Sequence, residues 1–254
     1  MRKLYMKRLS VILIFFGLTQ FAMAATTKTD ADSAYQKNQY EEAIKQYEAI
    51  LQNEGESADI YYNLGNSYYK TENVAKAILN YERALLLRPN DADIRFNLDM
   101  AKSKTVDKVI PTSEVFIVTW GKNLVNWMGE SQWAVTGIGA FIVLLIGLSL
   151  YIFGHKLILK KIGFIVAVIC LTVSICANVC ASKQKEKLVE RTGAIVMSPS
   201  ITVKSTPNES GTDLFVLHEG TKVYIDDNSM KEWKEIRLED GKKGWLPASS
   251  IELI

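Results

Sequence analysis

The 254-residue sequence is poor in the residues from which metal centres and covalent active sites are built. It has three cysteines, Cys170, Cys176 and Cys180, all inside one uncharged run, so neither a disulfide framework nor a CxxC metal site is available. Its two histidines, His155 and His218, are far apart and unaccompanied; a solvated His218 at a strand end is expected. No Ser/His/Asp or Cys/His set, no glycine-rich phosphate loop and no clustered metal ligands stand out. The expectation is a protein that is not an enzyme and takes no cofactor or metal. A surplus of one charge is missing too: 30 Lys+Arg against 28 Asp+Glu leave +2, which argues against nucleic acid as a partner.

Charge is absent locally as well. Residues 131–155 and 162–182 contain no Asp, Glu, Lys or Arg. As helices they would run about 30–35 Å at ~1.5 Å per residue, matching a hydrocarbon core of ~30 Å. They are expected to be two membrane spans, 132–154 and 162–182, joined by a short loop, 155–161. Three lysines in that loop (156, 160, 161) place it in the cytoplasm by the positive-inside rule. Upstream, Arg2, Lys3, Lys7 and Arg8 precede an apolar stretch, Val11–Leu18, and Ala22-Met-Ala24 has the small residues of a cleavage site. Residues 1–24 therefore read as an export signal, and both flanking regions are expected outside the cytoplasm. Lys183, Lys185, Lys187 and Arg191 count against that topology, since they follow the second span on the outer side. Within the second span, Gly163, Ala167, Cys170, Ser174, Ala177 and Ala181 line one helix face as a seam of small residues, with Cys176 and Cys180 off it. The seam serves either packing of the hairpin on itself or docking of a partner's membrane helix.

Internal repetition marks the region before the membrane. Ser57-Ala-Asp-Ile-Tyr-Tyr-Asn-Leu64 is echoed 34 positions later by Asp91-Ala-Asp-Ile-Arg-Phe-Asn-Leu98. Ala43-Ile44 and Tyr47-Glu48 recur, again 34 apart, as Ala77-Ile78 and Tyr81-Glu82. That period, with Tyr61, Leu64, Gly65, Tyr68, Ala77, Tyr81 and Ala84 at diagnostic places and Pro89 closing the unit, resembles the tetratricopeptide repeat, a helix–turn–helix array. Small Gly65 and Ala77 let two helices approach, while Tyr68 and Tyr81 fill the gaps between them. Residues 25–105 thus hold about two and a half units, with a third first-helix that lacks its partner. Such short arrays are marginal, because stability comes from stacking neighbours. The inner face is expected to be lined by Tyr35, Tyr62, Asn63, Asn66, Tyr69, Phe96, Asn97 and Met100. Its asparagines could bond a peptide backbone and its aromatics hold apolar side chains; the alternative is that these residues only join repeat to repeat. Tyr62 and Phe96 stand where carboxylate-clamping repeats carry lysine, so capture of a C-terminal carboxylate is not expected.

The linker 106–131 carries Trp120 and Trp127 just ahead of Trp133 and reads as an amphipathic helix at the membrane interface. From about 190 to 254 the pattern changes to short alternating stretches with turn signals at Ser198-Pro199, Pro207-Asn208, Glu219-Gly220 and Asp240-Gly241, which implies a small all-β barrel of five or six strands. Val203-Lys-Ser205, Glu219-Gly-Thr221, Trp233-Lys-Glu-Ile-Arg237 and Gly241-Lys-Lys-Gly-Trp-Leu246 resemble bacterial SH3 domains. In that family some members bind cell-wall peptides, so Trp233 and Trp245 are surface candidates; alternatively Trp245 packs the barrel and Trp233 covers its edge.

The fold class expected is a multidomain membrane protein: an all-α tetratricopeptide repeat, a two-helix transmembrane hairpin and a small SH3-like barrel. That order resembles the E protein family of the bacterial aerotolerance operon, the BatE type. The resemblance implies a membrane scaffold encoded with von Willebrand factor A-domain membrane proteins and a MoxR-type AAA ATPase. Its expected partners are those proteins and the lipid bilayer, at the periplasmic face of the cytoplasmic membrane. A cell-wall sensor or recruiter that binds peptidoglycan through the SH3-like domain is the alternative.

Overall fold

Residues 27–110, 112 and 115–254 are described in a computed structural model, so the export signal read at 1–24 lies outside the described residues. The described residues open with five helices, α1 (Lys28–Gln36), α2 (Tyr40–Glu54), α3 (Ala58–Lys70), α4 (Val74–Leu87) and α5 (Ala92–Ser103). Their starts follow from local side chains that satisfy backbone N–H groups the first turn leaves open. Thr27 and Asp30 form a reciprocal capping box on α1. The Asn73 amide oxygen accepts from the Lys76 N–H at α4, and Asp91 accepts from the N–H groups of Asp93 and Ile94 at α5. Ala43, Ala77, Ala84 and Ala101 are fully buried where helices cross, and Tyr47, Tyr68 and Tyr81 fill the remaining space. A Cβ on Gly65 would lie 2.7 Å from the Tyr81 ring, so α3 and α4 can approach this closely only because residue 65 has no side chain.

Helix α6 (Phe116–Val125) leads to α7 (Glu130–Phe153) and α8 (Leu157–Glu190), an antiparallel hairpin. Both long helices are apolar enough to cross a membrane, with mean hydropathy 2.3 and 2.5 over their most apolar 18 residues, and most of their apolar surface faces away from the protein. They approach closely where Gly147 and Gly163 face each other: a Cβ on Gly163 would sit 2.6 Å from the Gly147 carbonyl oxygen. Helix α8 does not stop at residue 182. Its 34 residues run on to Glu190 and deliver the chain directly into the sheet.

The C-terminal region forms seven strands, one or two more than the sequence pattern implies: β1 (Gly193–Val196), β2 (Ser200–Lys204), β3 (Asp213–His218), β4 (Lys222–Asp227), β5 (Trp233–Arg237), β6 (Lys243–Pro247) and β7 (Ile251–Leu253). All pairings are antiparallel in the order β3-β2-β6-β5-β4-β1-β7. The ladder leaves β3 and β7 as edges and does not close on itself. Val203, Leu217, Val223, Ile236 and Leu246 make its core.

The sheet packs against the repeat. Strand β1 is buried on both faces: Ala194 and Val196 enter the sheet's core, while Ile195 enters the repeat's, where Met197 and Ile254 join it. The Gly220 turn, at φ +83°, sits against Thr105 and Ile78, where its missing side chain and left-handed backbone are both required. Lys102 of α5 and Lys222 of β4 converge on buried Glu82 of α4 at 2.8 and 2.6 Å. Asp107 accepts from the His218 and Thr221 side chains and the His218 N–H, at 2.7–2.9 Å, so His218 is a docking residue and not the solvated side chain expected. Arg83 reaches the Leu253 carbonyl, and Arg191 forks onto Glu56. The sheet therefore covers α4 and the end of α5, apolar surface that a short array leaves unpartnered.

Candidate functional site

The first helices of the repeat, α1, α3 and α5, present the face on which the sequence places its groove candidates. A polar motif recurs along it with the repeat's own period. Asp32 Oδ1 accepts from Tyr47 Oη at 2.6 Å and from Asn63 Nδ2 at 3.1 Å. One unit later, Asn66 Oδ1 accepts from Tyr81 Oη at 2.8 Å and from Asn97 Nδ2 at 2.9 Å. Each acceptor thus ties its own second helix to the following first helix. Asn97 Nδ2 also donates to Tyr62 Oη at 3.0 Å. The bonds of Asn63, Asn66 and Asn97 shown here therefore join repeat to repeat.

Electrostatics follow the same arrangement. Burial pushes the Tyr47 hydroxyl up, and the Asp32 carboxylate beside it pushes it further. Burial chiefly raises Tyr81, with smaller contributions from Tyr62, Tyr35 and Tyr69. At Asp32, burial works against ionisation, but Lys28 and the Tyr47 and Asn63 bonds overcome it and hold the carboxyl low. Both tyrosines remain neutral donors at physiological pH, which the ladder requires.

The aromatics divide. Tyr35 is half-buried, edge-on to Tyr40 at 5.3 Å, and Tyr62 leans on Tyr81 at 6.1 Å. The Lys104 ammonium lies 4.2 Å from the Tyr69 ring centre. Phe96 and Met100 stand out, 66% and 39% exposed on α5. Met100 occupies the position 34 residues beyond Asn66, where the ladder's next acceptor would stand. An apolar side chain there ends the ladder, so the face passes from internally bonded polar groups to exposed apolar ones at α5. Asp32 is the member sequence reading missed; its signal was the 34-residue spacing to Asn66.

The other candidates lie elsewhere. Gly163, Ala167, Ser174 and Ala177 are buried and Cys170 and Ala181 half-buried, with contacts across to α7. Ser174 Oγ donates to the Gly137 carbonyl at 3.2 Å. Cys180 is on this seam rather than off it, because it packs beneath Trp133 at the open end of the hairpin. Trp133 is buried there, its indole N–H donating to the Val125 carbonyl at 3.0 Å, whereas Trp120 and Trp127 are 60% and 58% exposed. Gln184 of α8 donates to the Val125 and Met128 carbonyls, which fixes α6 against the hairpin.

On the sheet, Trp233 pairs with Pro247 and Trp245 with Glu235. Since side chains alternate, both tryptophans lie on the face opposite Ile236 and Leu246. Both are half-exposed, outside the core.

No curated protein matches the chain. Residues 29–98 match the tetratricopeptide repeat family, an interaction module, and this span coincides with α1–α5 as far as Leu98.

Proposed function

We propose that this chain is a membrane-anchored scaffold that captures a partner segment on its first-helix face at the exported side of the cytoplasmic membrane. The observation that carries the reading is the asymmetry of the repeat. The sheet covers α4 on the second-helix side, while the first-helix face stays open and ends in exposed Phe96 and Met100. The apolar hairpin α7–α8 supplies the anchor, and α6 lies at the interface with Phe116, Ile117 and Trp120 turned outward. Repeat, α6 and sheet gather at one end of the hairpin, which supports a topology with both water-soluble regions on one side. The resemblance to BatE-type proteins adds a role in an oxygen-tolerance or stress complex with von Willebrand factor A-domain membrane proteins and a MoxR-type ATPase.

The test uses the tagged full chain extracted in mild detergent. Phe96→Ala with Met100→Ala removes the exposed anchors and leaves the ladder bonds intact. Membrane proteins that accompany the native chain should be lost from the variant at unchanged expression; unchanged recovery overturns the groove assignment. A reporter after Ile254 active only inside the cell overturns the sidedness.

A second reading has its own observation: Trp233 and Trp245 are diagonal neighbours on one face of the sheet, in a segment whose sequence resembles bacterial SH3 domains. That face suits the sugar rings or peptide stems of peptidoglycan. Trp233→Ala with Trp245→Ala should then release the full chain, in detergent, from sedimentation with purified wall.

A further inference from the structure

Where the repeat, the sheet and the end of α8 meet, they enclose an open cavity of about 550 Å³. Its walls combine two chemistries. Leu85, Leu86, Pro89 and Ile254 form an apolar side, and the charged side holds five bases against three acids. Most of those bases have carboxylate partners: Lys183 pairs with Glu186, Arg191 with Glu56, and Lys222 with Glu82. Lys187 differs. Its ammonium donates to the neutral amide oxygen of Asn126 at 2.6 Å, and among the described residues no carboxylate lies within ion-pair distance of it. Desolvation and the positive charges of Lys122 and Lys222 hold its ammonium below the ordinary lysine range, a crowding that a bound anion relieves.

Position narrows the class of anion. Lys187 lies five residues past Ser182, where the uncharged run ends, about 7.5 Å along an unbroken helix at ~1.5 Å per residue. The polar layer of a bilayer extends ~5–8 Å beyond its hydrocarbon on each side. Lys183, Gln184 and Lys187 thus open the cavity at headgroup depth, with its apolar wall beside them. A site with cations on one side and aliphatic groups on the other fits an amphiphile better than a free inorganic ion.

We propose that this cavity binds the phosphate of an anionic glycerophospholipid headgroup, with Lys187 as its principal contact. The proposal rests on the membrane reading above. Its test is native mass spectrometry of the delipidated full chain in mild detergent, titrated with phosphatidylglycerol or with phosphatidylcholine of the same acyl chains. Phosphatidylglycerol should bind at least tenfold more tightly. Lys187→Gln should erase that preference, and Lys185→Gln, which removes a neighbouring lysine outside the cavity, should leave it within twofold. Equal affinity for the two lipids overturns the proposal. So does an equal loss in Lys185→Gln, which marks unspecific attraction by a basic helix end. Inorganic phosphate at millimolar concentration should not displace the lipid; full displacement assigns the cavity to the free ion and overturns the headgroup assignment. Flotation of the chain with vesicles reports separately on the membrane reading, so failure of either is recognisable.

Discussion

Glu82 offers the most demanding test of how the repeat and the sheet are joined. Its side chain is 8% exposed and holds Lys102 and Lys222, themselves 38% and 20% exposed, at ion-pair distance. Glu82→Gln preserves the shape and removes the charge, leaving two ammonium groups facing a neutral amide. Breaking a buried pair in this way costs about 3–5 kcal/mol. Lys102 can turn into water, so the low end applies, about 3 kcal/mol, or a factor of roughly 150 in an opening equilibrium at ~1.4 kcal/mol per tenfold. The assay is amide hydrogen exchange of the full chain in detergent, following the most protected amides of α4 and β4. They should exchange about a hundredfold faster in the variant. Adding Lys222→Met should recover part of that loss, because it removes the more buried of the two orphaned ammonium groups. Protection within threefold of native in Glu82→Gln would refute the argument. The pH dependence has a definite sign. Burial favours the neutral acid at Glu82, but the two lysines reverse this and hold its carboxyl well below the usual range. A depressed folded-state pKa contributes stability above the unfolded value of ~4.3 and loses it as the pH falls below. Acid should therefore loosen the native chain, and the Gln variant should lack this part of the response.

Other outcomes follow from the same contacts. Asp107→Ala removes three acceptor bonds to the His218–Thr221 turn and should cost about 2 kcal/mol, read as earlier proteolysis near residue 107. Burial works against the Asp107 charge, but Thr221 and His218 overcome it and hold the carboxyl low, so this contact too should be lost as the pH falls through the carboxylate range. Gly65→Ala drives a methyl into the Tyr81 ring and should lower the repeat's stability by about 1–3 kcal/mol in urea titration. Gly163→Val meets the backbone of α7 instead of a movable side chain, and should widen the interhelical distance reported by spin labels on α7 and α8. Arg191→Ala should change stability by less than ~1 kcal/mol, because both partners of its ion pair stay accessible to water.

The elements most readable from sequence were those whose signal is periodic. A 34-residue echo located α1–α5, and two charge-free runs located α7 and α8. Tyr81 and Gly65 could be paired because one fills what the other leaves empty. What escaped was long-range. Glu82 looks like an ordinary helix acid until Lys222, 140 residues away, packs over it, and Asp107 sits in a linker with no pattern at all. For Asn63 and Asn97 the sequence leaves both a peptide contact and a repeat-to-repeat contact open, because their bonding to Asp32 and Asn66 depends on stacking distance, which spacing along the chain does not report. Strand β1 did carry a hint: Ala194-Ile-Val-Met197 is apolar at every position, the pattern of a strand covered on both faces. The seventh strand is only three residues long, too short for alternation to register.

The unbroken course of α8 has a mechanical consequence. A helix of 34 residues is about 51 Å of stiff rod at ~1.5 Å per residue, and it has no joint before Arg191. There the backbone turns abruptly into β1, while the guanidinium is clasped by Glu56 of the repeat. A push, pull or rotation applied to the apolar half of that rod is therefore carried, with no hinge between, to the seam where the repeat meets the sheet.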